Sequence, residues 1–268
     1  MPVAETAPMQ RARSVSNGRR FSAPCGGLIS IGEAPSPCSC YDRIVVEKRL
    51  QTKKGEVILA RDFSEEYIRC LGMGEGLGVF FHYRYQDAQK TRNILSAVSE
   101  SGDHKLACAV SANCIIGYVA IVGPEAESRW SEINGALLAA FPALADPVIL
   151  ELGSIEMSTP WRGLGLSREL LKFIFEDPFF EEKIVVSREL SWTWDLRSTG
   201  LTPLAYRSKL LRLFESAGFR YCDTDENEIG YSGENMLTAR LGEKIPAEAV
   251  FLFHRLLSRR ERRGWGWG

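Results

Sequence analysis

The chain has little histidine. His82, His104 and His254 stand far apart, and Cys38 and Cys40 in "PCSC" have no second Cys or His pair nearby. Zinc needs several such ligands at short spacing, so no metal is expected. Long apolar runs are missing too: none reaches the roughly 18 residues that cross a bilayer as a helix. Charge of one sign is not in excess. Lys and Arg number 33 against 34 Asp and Glu, a net charge of −1, so no overall field draws the protein to nucleic acid or a membrane. The glycine-rich "GMGEGLG" at 72–78 has no Lys-Ser/Thr after it, so it is no P-loop and reads as a flexible connector. No segment repeats. The seven cysteines are an odd, scattered set without a secretory leader, which points to a reducing cytoplasm.

What is present is ordinary globular material: 268 residues, 45% hydrophobic and 25% charged. Residues 1–40 are rich in Arg, Ser, Ala and Pro and are expected to form a disordered tail, with a faint transit-peptide character in "MQRARSVSNGRRFS". Residues 41–258 are expected to fold as one domain, and 259–268 to form a basic, Gly/Trp-rich tail. "RIVVEKRL" reads as a strand, and Ser64 as the cap of the helix "SEEYIRCL". "AQKTRNILSAVSE" reads as a helix. "HKLACAV" and "CIIGYVAIV" flank "SAN" as an antiparallel hairpin. "ESRWSEINGALLAAF" is a further helix, followed by the strand "PVILELGSIEM" and the helix "GLSRELLKFIFE". The strand "EKIVVSREL" and the helices "LAYRSKLLRLFESAGF" and "IPAEAVFLFHRLL" complete the set, the last with Pro246 in its first turn. The order gives a mixed α/β domain.

A strand that runs into Arg162-Gly163-Leu164-Gly165 and then a helix has a physical use. Glycine lets backbone approach a phosphate, and free N–H groups and the dipole at a helix N-terminus favour an anion. Glycine at such a turn also serves packing alone.

The wider pattern resembles the GNAT acetyltransferase superfamily, whose signature Gln/Arg-x-x-Gly-x-Gly/Ala here reads Arg162-Gly163-Leu164-Gly165-Leu166-Ser167. Ser167 departs from it but is small and keeps its N–H. "ILELGSIEM", "RELSWTWDLRSTGLTPLAYRSKL", "FESAGF" and "ENMLTARLG" are similar to the acetoin-utilisation acetyltransferase family, over about residues 56–257. The resemblance implies a GNAT fold, a mostly antiparallel sheet flanked by helices and splayed between its fourth and fifth strands. It implies acetyl-CoA as cosubstrate and no metal. The pyrophosphate would lie on Arg162 to Ser167, and the pantetheine arm along residues 152–157, Ile155 and Met157 included. It also implies acetylation of a protein lysine, with acetyl-CoA synthetase as the partner that is switched off.

Lysine is mostly ammonium at neutral pH and must lose a proton before it attacks a thioester. Glu151 and Glu156 lie on the strand before the glycine loop. Five positions apart, they face opposite sides unless a bulge intervenes. Either is a candidate base, Glu156 ahead; the bland alternative is an ion pair with a nearby Arg or Lys. The family's leaving-group acid, a Tyr in "LYExxGF", is replaced here by Phe214, which leaves Tyr206 as a candidate. Trp192 and Trp194 alternate along an expected strand, both rings on one face, and with Asp195 would frame the incoming lysine. Two rival functions stay open: an acetyl-CoA-binding regulator without turnover, and a small-amine or polyamine acetyltransferase attracted by the acidic run 223–228, which otherwise is a solvated loop.

Overall fold

The computed structural model describes residues 46–78, 88–102 and 104–258. The expected tails at 1–40 and 259–268, Cys38, Cys40 and His82 lie outside them. The chain opens with a hairpin, β1 (Val46–Thr52) and β2 (Gly55–Arg61), then α1 (Glu65–Cys70), a two-residue β3 (Gly72–Met73) and α2 (Ala88–Glu100). A second hairpin follows, β4 (Lys105–Ser111) and β5 (Cys114–Val122), then α3 (Arg129–Ala140), β6 (Ile149–Met157) and α4 (Leu166–Ile174). The last part runs β7 (Ile184–Glu189), α5 (Leu196–Thr199), α6 (Pro203–Glu215), β8 (Arg220–Cys222), α7 (Asn227–Gly230), β9 (Met236–Leu241) and α8 (Ala247–Leu257).

Among the described residues one sheet runs in the order β1-β2-β4-β5-β6-β7-β9-β8, with β3 beside β5. Its pairs are antiparallel except β3–β5 and β6–β7. This is the mostly antiparallel, helix-flanked sheet expected. β2 and the two-residue β3, which the sequence reading passed over, shift the strand count by two, so the expected fourth and fifth strands are β6 and β7.

Each face of the sheet is closed by a different helix set. Leu166, Leu170, Leu171 and Ile174 recur at helical spacing and bury one side of α4, beside Phe214 of α6 and Val185 of β7. On the opposite face α3 and α8 bury Trp130 and Phe253 against Ile149 and Val186. Ile68 and Leu95 of α1 and α2 cover Tyr118 and Cys108 at the other end. Each such large apolar side chain contributes about 1.5–3 kcal/mol when taken from water.

Two local expectations are corrected. The glycine-rich 72–78 stretch is a fixed wall, not a flexible connector. Gly74 N–H donates to the Ile115 carbonyl at 2.8 Å, and Thr159 N–H to the Glu75 carbonyl at 3.0 Å. A Cβ on Gly74 would lie 2.9 Å from Ser158 Oγ, and one on Gly76 2.2 Å from Thr159 Oγ1, so packing requires these glycines. The second correction is in β6. Ala120 pairs with Ser154 but Ile121 with Leu152, which leaves Gly153 as an extra residue, a β-bulge. Tyr118 is opposite Glu156 and Val122 opposite Glu151. Tyr118 and Val122 point to one face of β5, so Glu151 and Glu156 share that face.

Candidate functional site

β6 and β7 are zipped for only three residues, Ile149–Glu151 against Ile184–Val186. Beyond that they part. Residues 152–157 stay paired to β5 and residues 187–189 to β9, so each strand turns a free backbone edge into a wedge-shaped gap. At the far end of β6 the chain passes a 3₁₀ turn, Thr159–Trp161, and enters α4. Gly163 and Gly165 both take φ of +78°, a left-handed turn that glycine adopts without strain. A Cβ on either would meet nothing within 4 Å, so the space over this turn is open. The first bonds of α4 run from Arg168 and Glu169 N–H to the Gly165 carbonyl. The N–H groups of Leu166 and Ser167 precede them and have no acceptor within the helix. The turn fits an anionic group held by backbone donors.

Arg162 does not point over that turn. Its Nε donates to the Met157 carbonyl at 3.0 Å, and its Nη1 to Asp195 and to Ser198 Oγ at 2.8 Å each. It spans the gap from the end of β6 to α5. Asp195 in turn caps α5 by accepting from Ser198 N–H at 3.2 Å. Burial pushes the Asp195 carboxyl up, but the Ser198 bonds and Arg162 hold it below its ordinary value.

Tyr206 and Trp194 stack beside this bridge, centroids 5.2 Å apart and 21° between planes. Burial and the nearby Glu189 raise the Tyr206 phenol. Phe214 is fully buried against Phe219, so the position that lacks the hydroxyl is core. The residue the sequence reading missed is Glu189. It accepts from Ser187 Oγ at 2.9 Å and Trp194 Nε1 at 3.2 Å, and its burial pushes the carboxyl up to about 7. Its sequence signal was the rarity of a carboxylate at the end of an apolar strand.

The two candidate bases lie on the other face of the sheet. Glu156 accepts from Gly78 N–H at 2.8 Å, while Tyr118 Oη donates to the Gly78 carbonyl at 2.8 Å. Burial raises Glu156, opposed by the Gly78 N–H and Tyr118. Glu151 sits in the zipped part and binds Arg188 at 3.2 Å. Burial raises it as well, with Arg188 opposing. Arg188 also reaches Glu226 at 3.4 Å and Glu228 at 3.1 Å, and Arg129 binds Asp225 at 2.7 Å. The acidic run is therefore tied to β7 through Arg188 and to α3 through Arg129 and is not a solvated loop.

Trp192 and Trp194 do not share a face. Residues 191–193 form a 3₁₀ turn, which breaks the strand alternation. Trp194 turns inward to Tyr206, and Trp192 outward to Tyr231. Among the described residues no group of three or more His, Cys, Asp or Glu is placed to hold a metal, and no helix is long and apolar enough to cross a membrane.

Comparison with known proteins gives three consistent likenesses. Acetoin utilization protein AcuA of Bacillus licheniformis is 30% identical over 209 residues, 78% of this chain and 92% of that protein. AcuA of Bacillus subtilis is 31% identical over 207 residues, 77% of this chain and 91% of its own length. The crystal structure of an acetoin utilization protein from Exiguobacterium sibiricum superposes with a TM-score of 0.70 at 26% identity, covering 83% of this chain and 98% of that one. No family model matches.

Proposed function

The chain belongs to the AcuA family of acetoin-utilisation proteins, acetyl-CoA-dependent acyltransferases of GNAT fold, and from that premise we propose that it acetylates a lysine of a protein, acetyl-CoA synthetase, to inactivate it. The observation that carries this reading is the parting of β6 and β7 directly above the left-handed glycine turn. It supports a linear, anion-headed thioester lying along the free edge of β6. Leu166 and Ser167 N–H and the turn at Gly163–Gly165 would hold the pyrophosphate. Residues 152–157, Ile155 and Met157 among them, would bond the pantetheine arm.

The acceptor enters from the face that bears Glu156. The lysine ammonium gives a proton to a carboxylate, its free amine attacks the thioester carbon, the C–S bond breaks to release CoA thiolate, and the second proton of the attacking nitrogen passes to that thiolate or to solvent as the neutral amide forms. Glu156 is the favoured base because it lies in the parted stretch, whereas Glu151 lies in the zipped stretch, tied to Arg188. The rise in its proton affinity on burial brings Glu156 closer to the value a base needs at neutral pH. Tyr206 lies across the gap beside Trp194 as the candidate proton source for the thiolate; a thiolate of ordinary pKa near 8.5 also leaves unaided.

The test is a mass-spectrometric assay with acetyl-CoA and the acetyl-CoA synthetase of the same organism. A gain of one acetyl group with matching loss of synthetase activity, cut about 100-fold or more by Glu156→Gln, is the expected result. Inhibition without mass gain assigns a binding regulator instead.

A further inference from the structure

We propose that Trp192 and Tyr231 form a preset aromatic surface on which the acceptor protein docks, and that the docked segment is basic. The inference rests on the reading that the acceptor is a protein. Trp192 is 51% and Tyr231 83% exposed, with ring centroids 5.8 Å apart and planes at 88°. Two large rings left in water edge to face offer a partner apolar area to cover, and these residue types carry much of the energy in protein interfaces.

The pair is not a loose accident of two loops. Asn235 is buried, and its Oδ1 accepts from Ser191 N–H at 2.8 Å while its Nδ2 donates to the Glu228 carbonyl at 2.7 Å. One side chain thus clamps the turn that bears Trp192 to α7, which leads into Tyr231. A surface ordered beforehand loses less conformational freedom on binding. It also sits in the right place. Trp192 follows the end of β7 by three residues, and Arg188 joins the acidic run to Glu151 at the root of the gap.

Charge selects the occupant. Residues 223–234 contain Asp223, Asp225, Glu226, Glu228 and Glu234 and no Lys or Arg. Arg129 and Arg188 offset part of this, yet Glu228 remains half exposed. The whole chain is close to neutral, so the acidic excess is local. It favours a lysine-bearing segment and repels an acidic one.

The test uses the full chain with Tyr231→Ala and Asn227→Lys, the second adding a positive charge at an exposed position without removing an ion pair. Initial rates are taken on acetyl-CoA synthetase, on a lysine-rich decapeptide, on spermidine and on a single blocked lysine amide. The expected result is a KM for the synthetase raised about tenfold in each variant, kcat kept, and the blocked lysine amide turned over as in the wild type. Added salt should shrink the Asn227→Lys effect but not that of Tyr231→Ala. Unchanged KM in both variants, or an equal loss on the blocked lysine amide, overturns the proposal. If the wild type does not acetylate the synthetase, the target assignment fails and the decapeptide decides: a raised KM supports docking here, an unchanged one overturns it. Spermidine turnover that responds to Asn227→Lys alone, with the decapeptide unaffected by Tyr231→Ala, overturns it in favour of a small amine.

Discussion

The indole of Trp194 donates to Glu189, and the same ring lies flat on Tyr206. A half-buried carboxylate held by Ser187 and Trp194 is therefore wired to the aromatic pair beside the gap. Glu189 is raised from its ordinary value of 4.5 to about 7 by burial, so the folded state binds its proton more tightly than the unfolded chain. Its contribution to stability is fully present below pH 4.5 and is lost as pH rises through 7, on the order of 3 kcal/mol in total. Glu189→Gln should remove that slope. Urea unfolding of both proteins from pH 4.5 to 8 measures it; parallel curves would sink the assignment.

Arg188 holds three carboxylates. Arg188→Met leaves Glu151, Glu226 and Glu228 without that cation, a loss of about 1–3 kcal/mol, below the fully buried case because the arginine is 32% exposed. The loss should grow as pH rises through the titration of Glu151 and Glu226, whose carboxyls burial raises above the ordinary value. Denaturation below and above that titration checks the sign.

Gly163→Ala and Gly165→Ala each force a side chain into φ of +78°, at about 1 kcal/mol. Neither new methyl would clash with the chain, so acetyl-CoA affinity should fall tenfold or more while Tm drops only a few degrees. Gly135→Ala, in the middle of α3 with open space around it, is the contrast and should stabilise by about 0.5–1 kcal/mol. Titration calorimetry and thermal melts of the three variants separate the effects.

Arg162→Met removes the link between Met157, Asp195 and Ser198. Amide exchange across 195–200 should quicken and acetyl-CoA affinity fall. Arg162→Lys should not rescue either, because an ammonium cannot present the planar fork that reaches all three acceptors. Full rescue by lysine would reduce Arg162 to a point charge.

Much of this was legible in order along the chain. The helical spacing of Leu166, Leu170, Leu171 and Ile174, the turn at "SAN" and the glycine loop each declare themselves locally. What was not legible depends on partners distant in sequence. Glu189 looked like a polar strand end until α6 and the 191–193 turn closed over it. The acidic run looked solvated until Arg129 and Arg188 met it. Gly153 was a visible cue, since a glycine inside a strand often marks a bulge, but only the register with β5 shows that it brings Glu151 and Glu156 to one side.

The three-residue ladder between β6 and β7 makes the sheet a hinge-less seam with two flaps, β1–β6 on one side and β7–β9 on the other. A cosubstrate lying in the gap would suture them, supplying from outside the hydrogen bonds that the strands decline to make with each other. Its binding would then tie the two flaps into one cooperative sheet, and loaded protein would resist unfolding in proportion to the logarithm of cosubstrate concentration. Metabolic supply of the acetyl donor would set not only how fast this protein works but how long it lasts.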